Sequence, residues 1–504
     1  MSEPGSFKAL RVISLPIIVG LFYLTASSHF AYTPDETYVY LRFAGNIAGG
    51  LGVSFNPGEP GYGLTSPLWV LAIAAGARLG IDPYIAAKGL DLVFAGGAVL
   101  VFALLAFEMS RDVALSICAT IAFSVNAWLL RWAGTGTEAS ASVLLVLTAV
   151  LFCLRNEYAL SMISTALLTL LRPEAVVLAV IIIADLFINS HSARQSARLS
   201  LKLLGLYALL ISPWLVYEWI KFGSVWPGPG PGNTGLDFSA DNRAGAAERV
   251  IAALTAADGC ALVVLAVSAA VLVAGRRVRT APQTEGSGFF AFRQSFASLC
   301  WMIIIPVLCI FTGAGSVSRC LLLAMPFTVL LAFSFAARAV SLIPARYAGY
   351  AAVFVLTGAI MLQNQLFYVR TVLPDIRAFE AGVESCLVPI GDWFRQNTPS
   401  GTSILTGDIG TIGYHADRKV YDAAGLVTPA FRTLLRSGLE PYEIIGTKQY
   451  RSICSPDFIV DRSNTVERLR SDPSLIPVLT RPFYQRRSND TEILYYTVYK
   501  VKTR

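Results

Sequence analysis

The stretch Val93-Phe94-Ala95-Gly96-Gly97-Ala98-Val99-Leu100-Val101-Phe102-Ala103-Leu104-Leu105-Ala106-Phe107 contains no charged or amide side chain. It is the middle of an apolar run from 85 to 108. As a helix rising about 1.5 Å per residue, such a run crosses the roughly 30 Å hydrocarbon core of a bilayer. Similar runs recur at about 10–30, 112–131, 139–155, 159–190, 201–220, 249–275, 297–315, 319–337 and 347–367. The run 159–190 is a pair broken at Arg172-Pro173, so about eleven spans are expected. Composition agrees: the 504 residues are 55% hydrophobic and 14% charged, with mean hydropathy +0.58. That is more apolar surface than a soluble core hides. The reading is a polytopic α-helical membrane protein, and it excludes a soluble enzyme.

The first run follows Lys8 and Arg11 and lacks a small-residue cleavage site, so it reads as a retained span. Pro67 to Leu79 is apolar but short and is placed as an interfacial helix. With that segment not crossing and the amino terminus cytoplasmic, basic residues fall on alternate loops: Arg111; Arg155; Arg194, Arg198 and Lys202; Arg276, Arg277, Arg279 and Arg293; Arg338 and Arg346. Segments 32–84, 132–138, 172–174, 221–248 and 314–319 then face outward. Because the net charge of +7 gathers in these loops, no nucleic acid partner is expected.

From about Arg370 charged residues become frequent and apolar runs shorten to strand length. The chain therefore divides into a transmembrane module, 1–369, with its first outward loop at 32–84, and a small extracytoplasmic α/β domain, 370–504. Strands are expected at Ser403 to Leu405, Asp457 to Val460 and Ile493 to Val498, and helices around Pro389 to Gln396 and Pro429 to Arg436. No solenoid repeat or inverted duplication is present. Cys118, Cys153, Cys260, Cys300 and Cys309 lie in apolar runs and read as inert. A Cys386 to Cys454 bridge is one option that an extracytoplasmic tail allows.

The residues able to carry chemistry collect on the outward side. Asp35 and Glu36 are adjacent acids near the membrane surface, where partial desolvation suits a general base; the alternative is a helix start with Thr33 or Asp35 as cap. If 35–46 is helical, Asp35 and Arg42 share a face. Glu138 stands at the outer end of a span, where a lone acid needs a partner or a task. Arg172 and Glu174 flank Pro173 between two apolar runs, as an ion-paired turn or as an anion site. Arg319 opens another run and either snorkels or reaches the same anion. The Gly-rich and Pro-rich stretch Trp226 to Gly235 drapes over the outer face. No zinc-ligand spacing, Walker loop or dinucleotide fingerprint occurs, and Asp35 with Glu36 is a thin coordination set for a divalent cation.

Together these motifs resemble the GT-C superfamily of membrane glycosyltransferases that use polyprenyl-phosphate sugars. The resemblance rests on Asp35-Glu36-Thr37-Tyr38 with Arg42 and Asn46, Phe55-Asn56-Pro57-Gly58-Glu59, and Tyr62-Gly63-Leu64-Thr65-Ser66-Pro67-Leu68-Trp69. It continues through Thr135-Gly136-Thr137-Glu138-Ala139, Leu171-Arg172-Pro173-Glu174-Ala175, Phe222-Gly223-Ser224-Val225-Trp226-Pro227 with Asn233-Thr234, and, in the tail, Thr406 to Tyr414 and Asp422 to Val427. Within the superfamily it looks nearest to bacterial terminal arabinofuranosyltransferase-like proteins. It implies an inverting transfer on the outer face of the bacterial plasma membrane, from a lipid-linked sugar donor to a cell-envelope glycan, lipid or protein. Asp35 would be the base and Glu36 its neighbour; Arg42, Glu138, Arg172, Glu174, Asn233 and Arg319 would bind donor phosphate or substrate. On those roles Asp35→Asn abolishes transfer with the fold intact. Extra residues at Pro227 to Gly232, and Cys320 after Arg319 where an aromatic is commoner, leave the sugar's identity open. A transporter or flippase of polyprenyl-linked sugars and a silent glycan-binding relative are the rival readings. A transporter, however, places its ionisable residues nearer the bilayer midplane.

Overall fold

The computed structural model describes residues 5–190, 192–223, 240–278, 286–313, 316–340, 346–487 and 490–502. Every expected run is helical: α1 (Gly5–Ala26), α2 (Asp35–Ala48), α3 (Pro67–Arg78), α4 (Pro83–Ser110), α5 (Val113–Ser124), α6 (Ala127–Trp132), α7 (Ala139–Leu154), α8 (Tyr158–Thr169), α9 (Val176–Asn189), α10 (Ala193–Phe222), α11 (Ala240–Val278), α12 (Gly286–Thr312), α13 (Val317–Leu321), α14 (Met325–Val340) and α15 (Arg346–Phe367). Among the described residues five helices are long and apolar enough to cross a bilayer unaided: α4, α10, the bodies of α11 and α12, and Gly349–Asn397. Six others, α3 among them, are apolar but shorter. The chain is a multi-pass membrane protein. Exposed Val93, Val180, Leu209 and Val355 lie on its helices, where lipid replaces water as solvent.

Two runs break where the sequence supplies a terminus. The run expected at 112–131 splits because the Asn126 side chain accepts the N–H groups of Trp128 and Leu129, capping α6. The run at 319–337 splits before Met325-Pro326, with proline in the first turn of α14, where its missing N–H costs nothing. The short α13 that results carries Arg319.

No break occurs at 370. α15 continues through a π turn (Tyr368–Val372) into α16 (Leu373–Gly382), then through another (Val383–Leu387) into α17 (Val388–Asn397). Pro374 and Pro389 each follow a π turn, whose shifted hydrogen bonding accommodates a residue without an N–H. The change in composition at 370 thus falls inside one helical rod.

The rod leads into a five-stranded sheet: β1 (Ser403–Thr406), β2 (Lys419–Asp422), β3 (Phe458–Ser463), β4 (Leu475–Arg487) and β5 (Asp490–Val501). Its order is β2-β1-β3-β5-β4. β1 is parallel to β2 and β3, and β5 is antiparallel to β3 and β4. Successive side chains of β1 feed opposite faces, as a strand requires. Ile404 packs with Phe394, Phe458 and Val498, and Leu405 with Phe431, Ile459 and Tyr499. α18 (Gly410–Ala416) joins β1 to β2.

The Cys386–Cys454 bridge is not formed. Both thiols are free and buried, and they belong to the two separate cores just described, so the sheet stands between them. Cys309 is instead joined to Cys320, tying the end of α12 to α13. Its place in an apolar run had suggested an inert side chain.

Candidate active site

α2 starts after Pro34, whose backbone is the N-cap and whose neighbours make no side-chain cap bond. Neither Thr33 nor Asp35 is spent as a cap. Asp35 faces the tail: its Oδ2 accepts the Gly410 N–H at 2.8 Å, and its Oδ1 accepts the Thr411 N–H at 2.7 Å and hydroxyl at 2.9 Å. A carboxylate offers about four lone-pair sites, so one site on Oδ2 stays open. Burial, and then the nearby Asp408 carboxylate, push Asp35 up to about 6 despite the three donors. Asp408 is itself fixed by the hydroxyls of Tyr442 (2.7 Å) and Tyr496 (2.6 Å) and by Arg462 (3.2 Å).

Arg42 lies on the same face of α2, two turns on, as the spacing implies. Its guanidinium is taken up by carbonyls: Phe55 at 2.8 Å, Gly413 at 2.5 Å and Arg418 at 2.6 Å. Beside it Asn56 donates to the Val420 carbonyl (2.9 Å) and accepts the Val420 N–H (3.0 Å). Asn56 thereby pairs with the open edge of β2 as another strand would. Asp35, Arg42 and Asn56 together clamp the first loop to the tail.

Glu36 points the other way, toward a second cluster. Glu138 is fully buried and receives Arg319, with Oε1 at 2.6 Å and Oε2 closer still. It also accepts the Tyr40 hydroxyl at 3.0 Å and Arg172 at 3.4 Å. Arg172 donates to the Arg319 carbonyl at 3.0 Å and pairs with Glu174 at 3.2 Å. The side chain of Glu36, 51% exposed, lies 3.8 Å from Nη1 of Arg319. The structure thus gathers Glu36, Glu138, Arg172, Glu174 and Arg319, leaves Arg42 in the clamp, and holds Asp35 at the junction. Asn233 and the stretch 226–235 lie outside the described residues. Among the described residues no three His, Cys, Asp or Glu side chains form a metal-ligating group.

Lys88 and Asp91, inside α4, were missing from the sequence reading. Lys88 is fully buried and donates to the carbonyls of Phe30, Tyr32 and Gly134. Asp91 accepts the Gly136 N–H at 3.0 Å and the Thr135 hydroxyl at 3.2 Å, while Trp69 donates to the Gly136 carbonyl at 2.9 Å. Gly136 has φ +83° and packs where a Cβ would meet Thr37 at 2.9 Å. These contacts fix the turn that presents Glu138. The available signal was two opposite charges three residues apart in an apolar run, which are costly there unless they have a task.

The tail, residues 375–499, matches a family described as Domain of unknown function (DUF8728). No curated protein matches the chain in sequence. Among solved structures, ArnT from Cupriavidus metallidurans in the apo state superposes with a TM-score of 0.60 at 12% identity, covering 95% of this chain and 97% of that one. The chain has an ArnT-like fold. A second structure of that protein, bound to undecaprenyl phosphate, gives 0.60 at 11% identity, with 96% and 97% covered. The likeness in fold covers both the helical module and the tail.

Proposed function

We propose that the chain is an inverting GT-C-type glycosyltransferase that moves a sugar from a polyprenyl-phosphate donor to a cell-envelope glycan, lipid or protein. The reaction would occur at the outer face of the bacterial inner membrane, with the amino terminus cytoplasmic. The observation that carries the proposal is that adjacent residues of α2 reach two different groups: Asp35, a desolvated carboxylate of raised proton affinity, docks on the tail, while the exposed Glu36 lies 3.8 Å from Arg319, which converges with Arg172 on Glu138. An ArnT-like fold, and a neighbour solved with undecaprenyl phosphate, support a lipid-phosphate donor. Arabinofuranose as the sugar rests on the sequence resemblance alone.

The acceptor hydroxyl gives its proton to the open lone pair of Asp35 Oδ2 as its oxygen attacks the anomeric carbon. The bond from that carbon to the phosphate oxygen breaks on the opposite side, which inverts the configuration, and the lipid phosphate leaves with the electron pair. Arg319 and Arg172 face three carboxylates, Glu36, Glu138 and Glu174, so the cluster by itself offers no surplus positive charge. Phosphate enters by displacing Glu36 from Nη1 of Arg319. That is the longest contact in the set, and it is made by the half-exposed Glu36, the carboxylate of the three that water most readily solvates once displaced.

Labelled synthetic polyprenyl-phosphate pentoses and hexoses, incubated with purified protein in detergent and a mixed glycan and lipid acceptor set, test the reading. Release or transfer of one sugar with inverted configuration is expected. Movement of intact donors across proteoliposomes without bond cleavage would establish a flippase instead.

A further inference from the structure

A cavity of about 300 Å³ opens where the first outward loop, the end of α10 and the tail meet. It shares no residue with the cluster around Glu138. We propose that this groove is a subsite for a neutral sugar unit of a glycan acceptor, an inference that rests on the transferase reading above.

Three aromatic rings line it, each from a different segment: Tyr62, Phe222 and Tyr421, with Pro60 and Pro429 completing the walls. Tyr62 and Phe222 meet edge to face with centroids 4.8 Å apart. Flat rings of this kind stack on the C–H face of a sugar, gaining dispersion contact without asking for charge. The polar groups are few and convergent. Glu59 is held by Lys419 at 2.6 Å and by Asn56 at 2.9 Å, which aims its carboxylate as an acceptor of sugar hydroxyls. Thr428 accepts the Asp422 N–H at 3.0 Å, and its own hydroxyl hydrogen is left to donate.

Arg432 supplies an independent sign. It stacks over Tyr62 at 4.4 Å, donates to the Tyr62 hydroxyl at 3.0 Å and to the Gly425 carbonyl at 2.9 Å. Its Nη2 is buried with no hydrogen-bond partner among the described residues. Buried N–H groups are normally paired, and a ligand hydroxyl oxygen beside Tyr62 would offer this one an acceptor.

Topology sets the groove beside the chemistry. β1 and β2 are parallel with Thr406 opposite Asp422, so the segment after β1 that holds Asp35 and the segment after β2 that carries Val427 and Thr428 emerge from the same sheet edge. Ligands of parallel sheets bind at that carboxyl edge. A neutral sugar suits the site better than an anion, because Lys419 is engaged by Glu59. A polyprenyl chain would bury the Glu59 and Lys419 charges against hydrocarbon, which is unfavourable.

Saturation-transfer NMR on the full-length protein in detergent tests the assignment. The probes are methyl α-D-arabinofuranoside, methyl β-D-galactofuranoside and methyl α-D-mannopyranoside, with farnesyl phosphate as the lipid probe. At least one glycoside should receive saturation from the wild type, fall at least fivefold in Tyr421→Ala, and fall at least twofold in Glu59→Gln, which retains the Asn56 contact and guards against misfolding of the first variant. The proposal is overturned if no glycoside responds, if the response survives both substitutions, or if Tyr421→Ala removes the farnesyl phosphate response instead. The readout needs no turnover, so a glycoside that binds to a protein inert toward every donor would keep the groove and discard the transferase reading.

Discussion

Arg319 and Glu138 form the most consequential pair at the scale of single residues. Each is at least nine-tenths buried, and removing one partner strands the other charge in a low-dielectric site, at about 3–5 kcal/mol. Arg319→Ala and Glu138→Ala should each lower the thermal midpoint sharply. The double variant should be more stable than the sum of the two losses implies, a coupling that a thermal-unfolding cycle measures directly. Additive losses would mean that the pair does not form. Asp35 gives a second expectation, in pH. Its proton affinity is raised from the ordinary carboxylate range to about 6, so between about 4 and 6 the folded state binds a proton that the unfolded state has lost. Ionisation therefore costs stability as pH rises through that window, on the order of 2–3 kcal/mol by pH 7. Asn at position 35 does not titrate. The midpoint of wild type relative to Asp35→Asn should rise in favour of wild type when pH falls from 7 to 5, and a constant difference would contradict the burial of Asp35. The structure also qualifies the expectation that Asp35→Asn leaves the fold untouched, because an Asn amide set against the Gly410 and Thr411 donors weakens the clamp.

Between elements, the seam of α2 and α18 is close enough to be tested by one methyl group. A Cβ on Gly410 would stand 2.0 Å from the Asp35 carbonyl oxygen and 2.6 Å from its carboxyl carbon, whereas one on Gly401 would meet nothing within 4 Å. Gly410→Ala should therefore open the seam, raising amide hydrogen exchange across α18 and lowering stability by about 1–3 kcal/mol. Gly401→Ala should change exchange across α18 little. Equal behaviour of the two variants would argue against the docked tail. The same seam shows why some elements were legible in the sequence and others were not. The apolar runs announced their helices, and Ser403, Phe458 and Ile493 lie in strands where short apolar runs were expected. β2, Lys-Val-Tyr-Asp, is four residues long and buries only alternate ones, and the apolar start of β4, Leu475 to Leu479, is interrupted by Pro477 and followed by Pro482 and three arginines, which argues against a strand. The register of Asn56 on Val420 is a contact between distant segments, and no local pattern encodes it. Arg42 illustrates the same limit. Its face on α2 followed from spacing, but its carbonyl partners come from the tail.

Across the whole molecule, two modules that look separate in composition are one architecture. The rod from Gly349 to Asn397 runs from the membrane helices into the tail, and the ArnT-like fold spans nearly the entire chain. Charge pattern alone brought Glu138, Arg172 and Arg319 to one side, because buried or membrane-level charges must be paired or used. It did not reveal that Lys88 and Asp91 brace the turn beneath Glu138, since that task becomes visible only when α4 is packed against the 134–138 segment. The tail supplies the donors that set Asp35 in place, so under the proposed mechanism it has a mechanical part in the chemistry. Sugar release from labelled polyprenyl-phosphate donors tests this most directly, run in parallel with purified wild type and Asp35→Asn, each shown to be folded and to bind undecaprenyl phosphate. The account predicts turnover of one donor by wild type and a loss of at least a hundredfold in Asp35→Asn with undecaprenyl phosphate binding retained, as removal of a general base implies. Wild-type turnover undiminished in the variant would contradict it.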